Sequence, residues 1–172
     1  MWEPGADRAT FLYMEERWSP RQQQHFDDGD VSMPMGELFG GVVFLVALLQ
    51  EFPRTRAVYW FTDCDAAKAA VNSSSSPSPQ MNHLLAWLFD RYSHVRLLAL
   101  HIPGKRNWGA DGLSRDGVEG ATVDDVLESA AAGGMELRAL AMPQGSGLAF
   151  AQAAVLPQSA KAGKSRKRKL RR

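Results

Sequence analysis

The run Ala57–Thr62 constrains the fold more than any other segment, because it joins β-branched and aromatic residues without polar alternation. Such a run is typical of a short central strand that is covered on both faces. Asp63 follows it directly, and the Ala-rich residues after Cys64 favour a helix. Asp63 is therefore predicted at a strand-to-helix junction, where backbone N–H groups favour an anion.

The other patterns place this strand among alternating strands and helices. In chain order, the sequence predicts one or two strands over 9–18, a polar loop over 19–36, a buried helix over 37–50, the strand over 57–62, a helix after 64, a low-complexity loop over 73–79, a helix over 81–92, a strand over 95–102 and a closing helix from Thr122. Gly40 and Gly41 weaken the long helix by about 1 kcal/mol each but allow close approach to a sheet. This order predicts an α/β layer fold with helices packed on a mixed sheet.

Composition indicates a single globular domain with tails. The chain has 172 residues, 45% of them hydrophobic, which suffices for a sizeable core. One cysteine, Cys64, excludes an internal disulfide and a site made of thiolates alone. The longest apolar run, 42–49, is shorter than the roughly 20 residues that cross a bilayer. We therefore expect no membrane segment and no signal peptide.

Charge divides the chain into an acidic body and a basic tail. Residues 161–172 hold eight of the 20 Lys and Arg residues and no acid, which leaves 12 basic against 19 acidic residues, or −7, in the rest. We expect a domain over 1–130 with its core in 9–115, a loosely ordered Ala- and Gly-rich extension over 131–160, and a disordered tail over 161–172. The tail fits nuclear localisation or nucleic-acid contact, and a solvated end without function is the alternative. The expected location is nuclear or cytoplasmic.

Three acids are predicted to reach one area from three elements: Glu37 at a helix start, Asp63 at a strand end and Asp111 after a Pro-Gly turn. Hard oxygen ligands suit Mg²⁺ or Mn²⁺ rather than zinc, and pairs of such ions catalyse phosphodiester hydrolysis. The alternative reading is structural. Glu37 would then be a first-turn acid, Asp63 an N-cap and Asp111 a surface acid.

The segment 101–115 joins a strand-like run to a Pro-Gly turn, an Asn and an Ala-Asp pair before Leu-Ser-Arg. It resembles the closing signature of the RNase H domain in retrotransposon reverse transcriptases. Glu37-Leu-Phe and Phe61-Thr-Asp-Cys-Asp resemble two further motifs of that family, and Asn82-His-Leu-Leu resembles the segment before its last strand. The resemblance covers residues 9–115.

The resemblance implies an RNase H-like mixed sheet flanked by helices, with Glu37, Asp63 and Asp111 as catalytic metal ligands. The implied activity is Mg²⁺- or Mn²⁺-dependent hydrolysis of the RNA strand of RNA/DNA hybrids. The implied partners are such a hybrid or another nucleic acid, and the rest of a reverse transcriptase polyprotein.

One departure from the family pattern concerns the opening strand and its catalytic Asp. That Asp is expected 35 to 45 residues before Glu37, and no strand surrounds an early acid here; Asp7 is flanked by Gly-Ala and Arg-Ala. We therefore expect the first strand to be missing and the two-metal site to be incomplete. The alternative function is a non-catalytic, nucleic-acid-binding remnant of the fold.

The segment before Asp111 carries candidate contacts to the hybrid. Lys105, Arg106, Asn107 and Trp108 would provide phosphate pairing and base stacking, and a solvated turn is the alternative. His101 precedes the turn and is interpreted as structural. Asp65 is interpreted as a solvent-facing helix residue.

Overall fold

The computed structural model describes residues 10–14, 20–107 and 122–143. The strands in these ranges are β1 (Thr10–Tyr13), β2 (Ala57–Thr62), β3 (Arg96–His101) and β4 (Glu136–Ala139). The helices are α1 (Pro20–Asp27), α2 (Met33–Glu51), α3 (Asp65–Ser73), α4 (Pro79–Arg91) and α5 (Val123–Ala132), with a 3-10 turn at Gly104–Arg106. The described residues therefore form a mixed α/β fold.

The four strands form two separate parallel pairs, not the one mixed sheet that the sequence predicts. Strand β2 pairs with β3, and β1 pairs with β4. Parallel neighbours need a long crossover connection, and helices α3 and α4 supply it between β2 and β3. The strand prediction over 57–62 is confirmed, and that over 95–102 is one residue too long at each end.

Helix α2 is the centre of the hydrophobic core. It begins after Ser32 with a proline in its first turn, where a missing N–H costs nothing, so it starts four residues before the predicted position. Eleven of its 19 residues are buried, and the exposed Glu37 and Gly40 lie on one side of the helix. By length and hydropathy this helix could cross a bilayer, but 61% of that window is buried inside the protein, as in a core helix.

Two glycines of α2 allow close packing of the neighbouring elements. A Cβ atom on Gly41 would lie 1.8 Å from Cζ2 of Trp60, so the helix backbone rests directly on the indole of β2. A Cβ atom on Gly36 would lie 2.7 Å from Cζ of Phe26, which belongs to α1. The predicted close approach to a sheet is thus observed at Gly41, whereas Gly40 has no neighbour within 4 Å.

The prediction that β2 is covered on both faces is wrong. Trp60 faces α2, and Thr62, two residues further along the same face, is only 5% exposed. The opposite face carries Tyr59 and Phe61, which are 67% and 57% exposed. The run lacks polar alternation although one face is open, because the open face carries aromatic side chains instead of polar ones.

Two predictions of irregular structure are also corrected. Residues 19–36, predicted as a polar loop, contain α1, which has no fully buried residue and gives little apolar periodicity. The predicted loose extension over 131–160 contains β4, and Leu140 after it joins the core at 8% exposure. Strand β4 is exposed along its length, so its side chains gave no pattern of alternation.

Candidate functional site

The carboxyl ends of β2 and β3 lie side by side, because the strands are parallel and Thr62 is in register with His101. The N–H of Ile102 donates to the carbonyl of Thr62 at 3.0 Å, which extends the pairing past the last strand residues. Asp63 follows β2 at this edge, and the Pro103-Gly104 turn follows β3. One carboxylate and one tight turn are therefore brought together.

Gly104 lies against the Asp63 carboxylate. A Cβ atom built on Gly104 would be 3.4 Å from Oδ2 of Asp63, an ordinary van der Waals distance. Asp63 itself is solvent-exposed. Gly104 thus places the turn after β3 next to the Asp63 carboxylate.

Thr62 and Cys64 fix the backbone on both sides of Asp63. The N–H of Cys64 donates to Oγ1 of the buried Thr62 at 3.1 Å. The Sγ of Cys64 then caps α3 by accepting from the N–H of Ala67 at 3.5 Å. The polypeptide turns from strand to helix within three residues, and Cys64 is the N-cap, so the alternative prediction of Asp63 as the N-cap is wrong.

From the contact between α2 and β2, we infer that Glu37 lies toward the same end of the molecule as Asp63. Helix α2 and strand β2 are joined by only five residues, 52–56, so they run in opposite directions past their contact at Gly41 and Trp60. Glu37 is one turn before Gly41, about 6 Å toward the helix N-terminus. Asp63 is three residues beyond Trp60, about 10 Å toward the strand C-terminus. Glu37 is exposed.

The Asp65 carboxylate contacts two neighbouring side chains, those of Lys68 and His101. Its Oδ1 lies 2.6 Å from Nζ of Lys68 and 3.4 Å from Nδ1 of His101. The hydrogen bond from Lys68 and its charge, followed by the charge of His101, lower the pKa of the Asp65 carboxyl below its ordinary value. His101 thus ties the end of β3 to the first turn of α3, in keeping with a structural role.

The turn after β3 presents part of the predicted nucleic-acid contact. The N–H of Arg106 donates to the carbonyl of Pro103 at 2.7 Å, and the N–H of Asn107 donates to that of Gly104 at 2.9 Å. Arg106 is exposed and Asn107 is half-buried. Only the backbone of Lys105 is described. Trp108 and Asp111 lie outside the described residues.

Within residues 10–14, 20–107 and 122–143, no three His, Cys, Asp or Glu side chains form a group that could hold a metal ion. The Gly41–Trp60 contact is the observation that relates Glu37 to Asp63, and the third predicted acid is Asp111. Sequence reasoning missed the contact between Asp65 and His101. A separation of 36 residues leaves no local signal for such a pair, which only the strand register creates.

None of the protein-family models, curated proteins or solved structures compared with this chain matches it significantly.

Proposed function

We propose that this chain is a retroelement-derived RNase H-like domain that hydrolyses the RNA strand of RNA/DNA hybrids. The proposal includes the finer fold assignment, an RNase H-like sheet, and the three acids Glu37, Asp63 and Asp111 as metal ligands. Its support is the Asp63 carboxylate, which stands at the paired strand ends beside the turn that leads toward Asp111.

The donor set suits the proposed metal. Carboxylate oxygens are the ligands that Mg²⁺ and Mn²⁺ prefer, and Asp63 and Glu37 provide them at the same end of the molecule. Asp111 would supply the third carboxylate from the segment after the Gly104 turn. When bound, such ions would activate the attacking water and stabilise the leaving 3′ oxygen.

The chain's own residues would hold and orient the substrate. Exposed Arg106, in the turn next to Asp63, would pair with a phosphate of the hybrid backbone. Thr62 and Cys64 would keep the Asp63 carboxylate in place while the phosphate approaches. A carboxylate that is held in place before the phosphate arrives needs less reorganisation to reach the reactive geometry.

The proposal is tested with the purified chain and a hybrid duplex that carries different labels on its RNA and DNA strands. In Mg²⁺ or Mn²⁺ we expect fragments of the RNA strand alone, and no products in the presence of a chelator. Circular dichroism confirms that the protein is folded, and a gel-shift titration in the chelator measures binding separately.

Two results would contradict hydrolysis as the function. A folded chain that binds the hybrid without cutting either strand would instead support the non-catalytic remnant. A folded chain that neither binds nor cuts would contradict both functions. Equal cleavage of single-stranded RNA would contradict the proposed preference for a hybrid.

A further inference from the structure

The two outer edges of the β2–β3 sheet differ. Along β3, the outward N–H and carbonyl of Ala99 are both paired by the side chain of Asn72, at 2.9 Å and 2.8 Å. This side chain imitates one residue of a neighbouring strand. The middle of the β3 edge is therefore closed to any further strand.

Within the part of the chain that the structure describes, the β2 edge has no comparable cover. The hydrogen bonds from Arg96 to Arg56 and from Ile102 to Thr62 fix which backbone groups face β3. In a parallel ladder these groups alternate, so the N–H and carbonyl groups of Ala57, Tyr59 and Phe61 point away from it. Among the described residues, no hydrogen bond pairs these outward groups. They form a row of donors and acceptors that suits another strand.

The sequence of β2 lacks the features that protect sheet edges from pairing. Sheet edges are usually protected by charged side chains, prolines or bulges, and Ala57–Thr62 contains none of these. Its uncharged, β-branched and aromatic composition is typical of segments that associate edge to edge. The exposed faces of Tyr59 and Phe61 continue onto Leu98 of β3, which is 44% exposed.

We propose that the β2 edge binds the β2 edge of a second copy of this chain, in antiparallel orientation about a two-fold axis at Tyr59. In this register Tyr59 is opposite Tyr59 of the partner subunit, and Ala57 is opposite Phe61 of the partner subunit. All three residues carry outward backbone groups, so each donor meets an acceptor. The exposed side chains of both copies then lie on the same face of the joined sheet. No like charges meet between positions 57 and 61.

The same geometry limits the assembly to two copies. A two-fold contact uses the same surface on both subunits and closes on itself. The remaining outer edges of the four-stranded sheet are the two β3 strands, whose centres Asn72 closes. Edge pairing therefore ends with the second copy, and a fibre is not expected.

The first test is sedimentation of the full chain over a range of concentrations. We expect a monomer–dimer equilibrium that Tyr59→Lys weakens by roughly tenfold or more, because like charges then face each other at the axis. Leu98→Lys is the matched control, since it places the same charge on the same open face but on β3. We expect it to change the dissociation constant by no more than about threefold.

A second test uses disulfide cross-linking to identify the register of the two β2 strands. In a Cys64→Ser background, Tyr59→Cys should form a disulfide-linked dimer under mild oxidation, because directly opposed residues have Cα atoms about 5.5 Å apart, within disulfide range. Leu98→Cys in the same background should form much less. A strictly monomeric wild-type chain would overturn the proposal. Equal weakening by the two lysine variants, or equal cross-linking of the two cysteine variants, would assign association to the open face and overturn the edge contact.

Discussion

The two parallel strand pairs have the same pairing geometry but very different support. The β2–β3 pair packs on α2 through Trp60, and Ala99 of β3 is 1% exposed. In the β1–β4 pair, β1 is half-buried throughout and β4 is exposed throughout. We therefore expect that cover by the core, rather than parallel pairing alone, stabilises each region. The candidate acid Asp63 follows a strand of the well-supported pair.

The connection between the two regions is narrow. Leu140 enters the core after β4, and Leu12 packs against the core from β1. Arg138 forms an ion pair with Glu51 at the end of α2 and lies over the ring of Phe52, 5.9 Å from its centroid. We expect the β1–β4 pair to open locally at a lower free energy than β2–β3.

The largest difference should come from the core. Leu84 of α4 is fully buried, so Leu84→Ala is expected to lower the free energy of unfolding by about 2–5 kcal/mol. Leu137 of β4 is 37% exposed, and Leu137→Ala should cost much less. Urea unfolding followed by circular dichroism measures both. Equal losses would contradict the contrast between the regions.

The next largest effect concerns the packing of α2 against β2 at Gly41 and Trp60. Gly41→Ala would drive a methyl group into the Trp60 ring, and overpacking of this kind typically costs about 1–3 kcal/mol. Gly40→Ala on the open side of the same helix should instead stabilise by up to about 1 kcal/mol. Thermal unfolding compares the pair, and a Gly41→Ala protein as stable as Gly40→Ala would show that the helix does not rest on the indole.

Asn72 provides a test of the closed β3 edge. Asn72→Ala removes both hydrogen bonds to the backbone of Ala99, and we expect a loss of about 1–3 kcal/mol. Amide exchange at Ala99 should accelerate more than at Leu98, whose N–H faces β2. Unchanged exchange at Ala99 would mean that Asn72 does not close this edge.

The helix next to β4 should respond to pH through its cap. The backbone N–H and hydroxyl of Thr122 lower the pKa of Asp125, so the cap's stabilisation is present above the ordinary carboxyl pKa and is lost as pH falls through the lowered value. Thr122→Ala should cost about 1 kcal/mol at neutral pH. Amide exchange in α5 as a function of pH measures this. An acid-insensitive α5 would contradict the cap's role.

The smallest effect is expected from the ion pair that joins the regions. Arg138 and Glu51 have side chains 48% and 39% exposed, so Glu51→Gln should cost no more than about 1 kcal/mol, and less at high salt. A double-mutant cycle with Arg138→Gln isolates the coupling between them. A coupling well above that value would mean that the pair is a principal support of β1–β4.

The sequence was informative where hydrophobic pattern and structure coincide. Strand β2 was predicted with its observed bounds, and the close approach of Gly41 followed from its place in an apolar helix. Cys64 shows the limit of such reasoning, because its role as the N-cap depends on a thiol contact that composition does not indicate. Strand β4 depends on pairing with β1, about 126 residues earlier in the chain, and has no buried face of its own.

The candidate site was predictable only in part. Asp63 was placed at a strand end because the helix-forming run after it marks the junction. Its proximity to Gly104 depends on the parallel register of β2 and β3, which no local pattern specifies. The contact of Asp65 with His101 likewise results from that register, whereas Lys68 is a neighbour of Asp65 within helix α3. Asp111 remains a prediction.

The most direct test of the proposed function compares two acids that stand two residues apart. Hybrid cleavage rates are measured for Asp63→Asn and for Asp65→Asn, with folding verified for each. We expect Asp63→Asn to lose on the order of a hundredfold or more, as when a metal-site interaction of several kcal/mol is removed. Asp65→Asn should retain activity within about threefold, because its carboxylate is bound by Lys68 and His101. Undiminished cleavage by Asp63→Asn would contradict the proposed function.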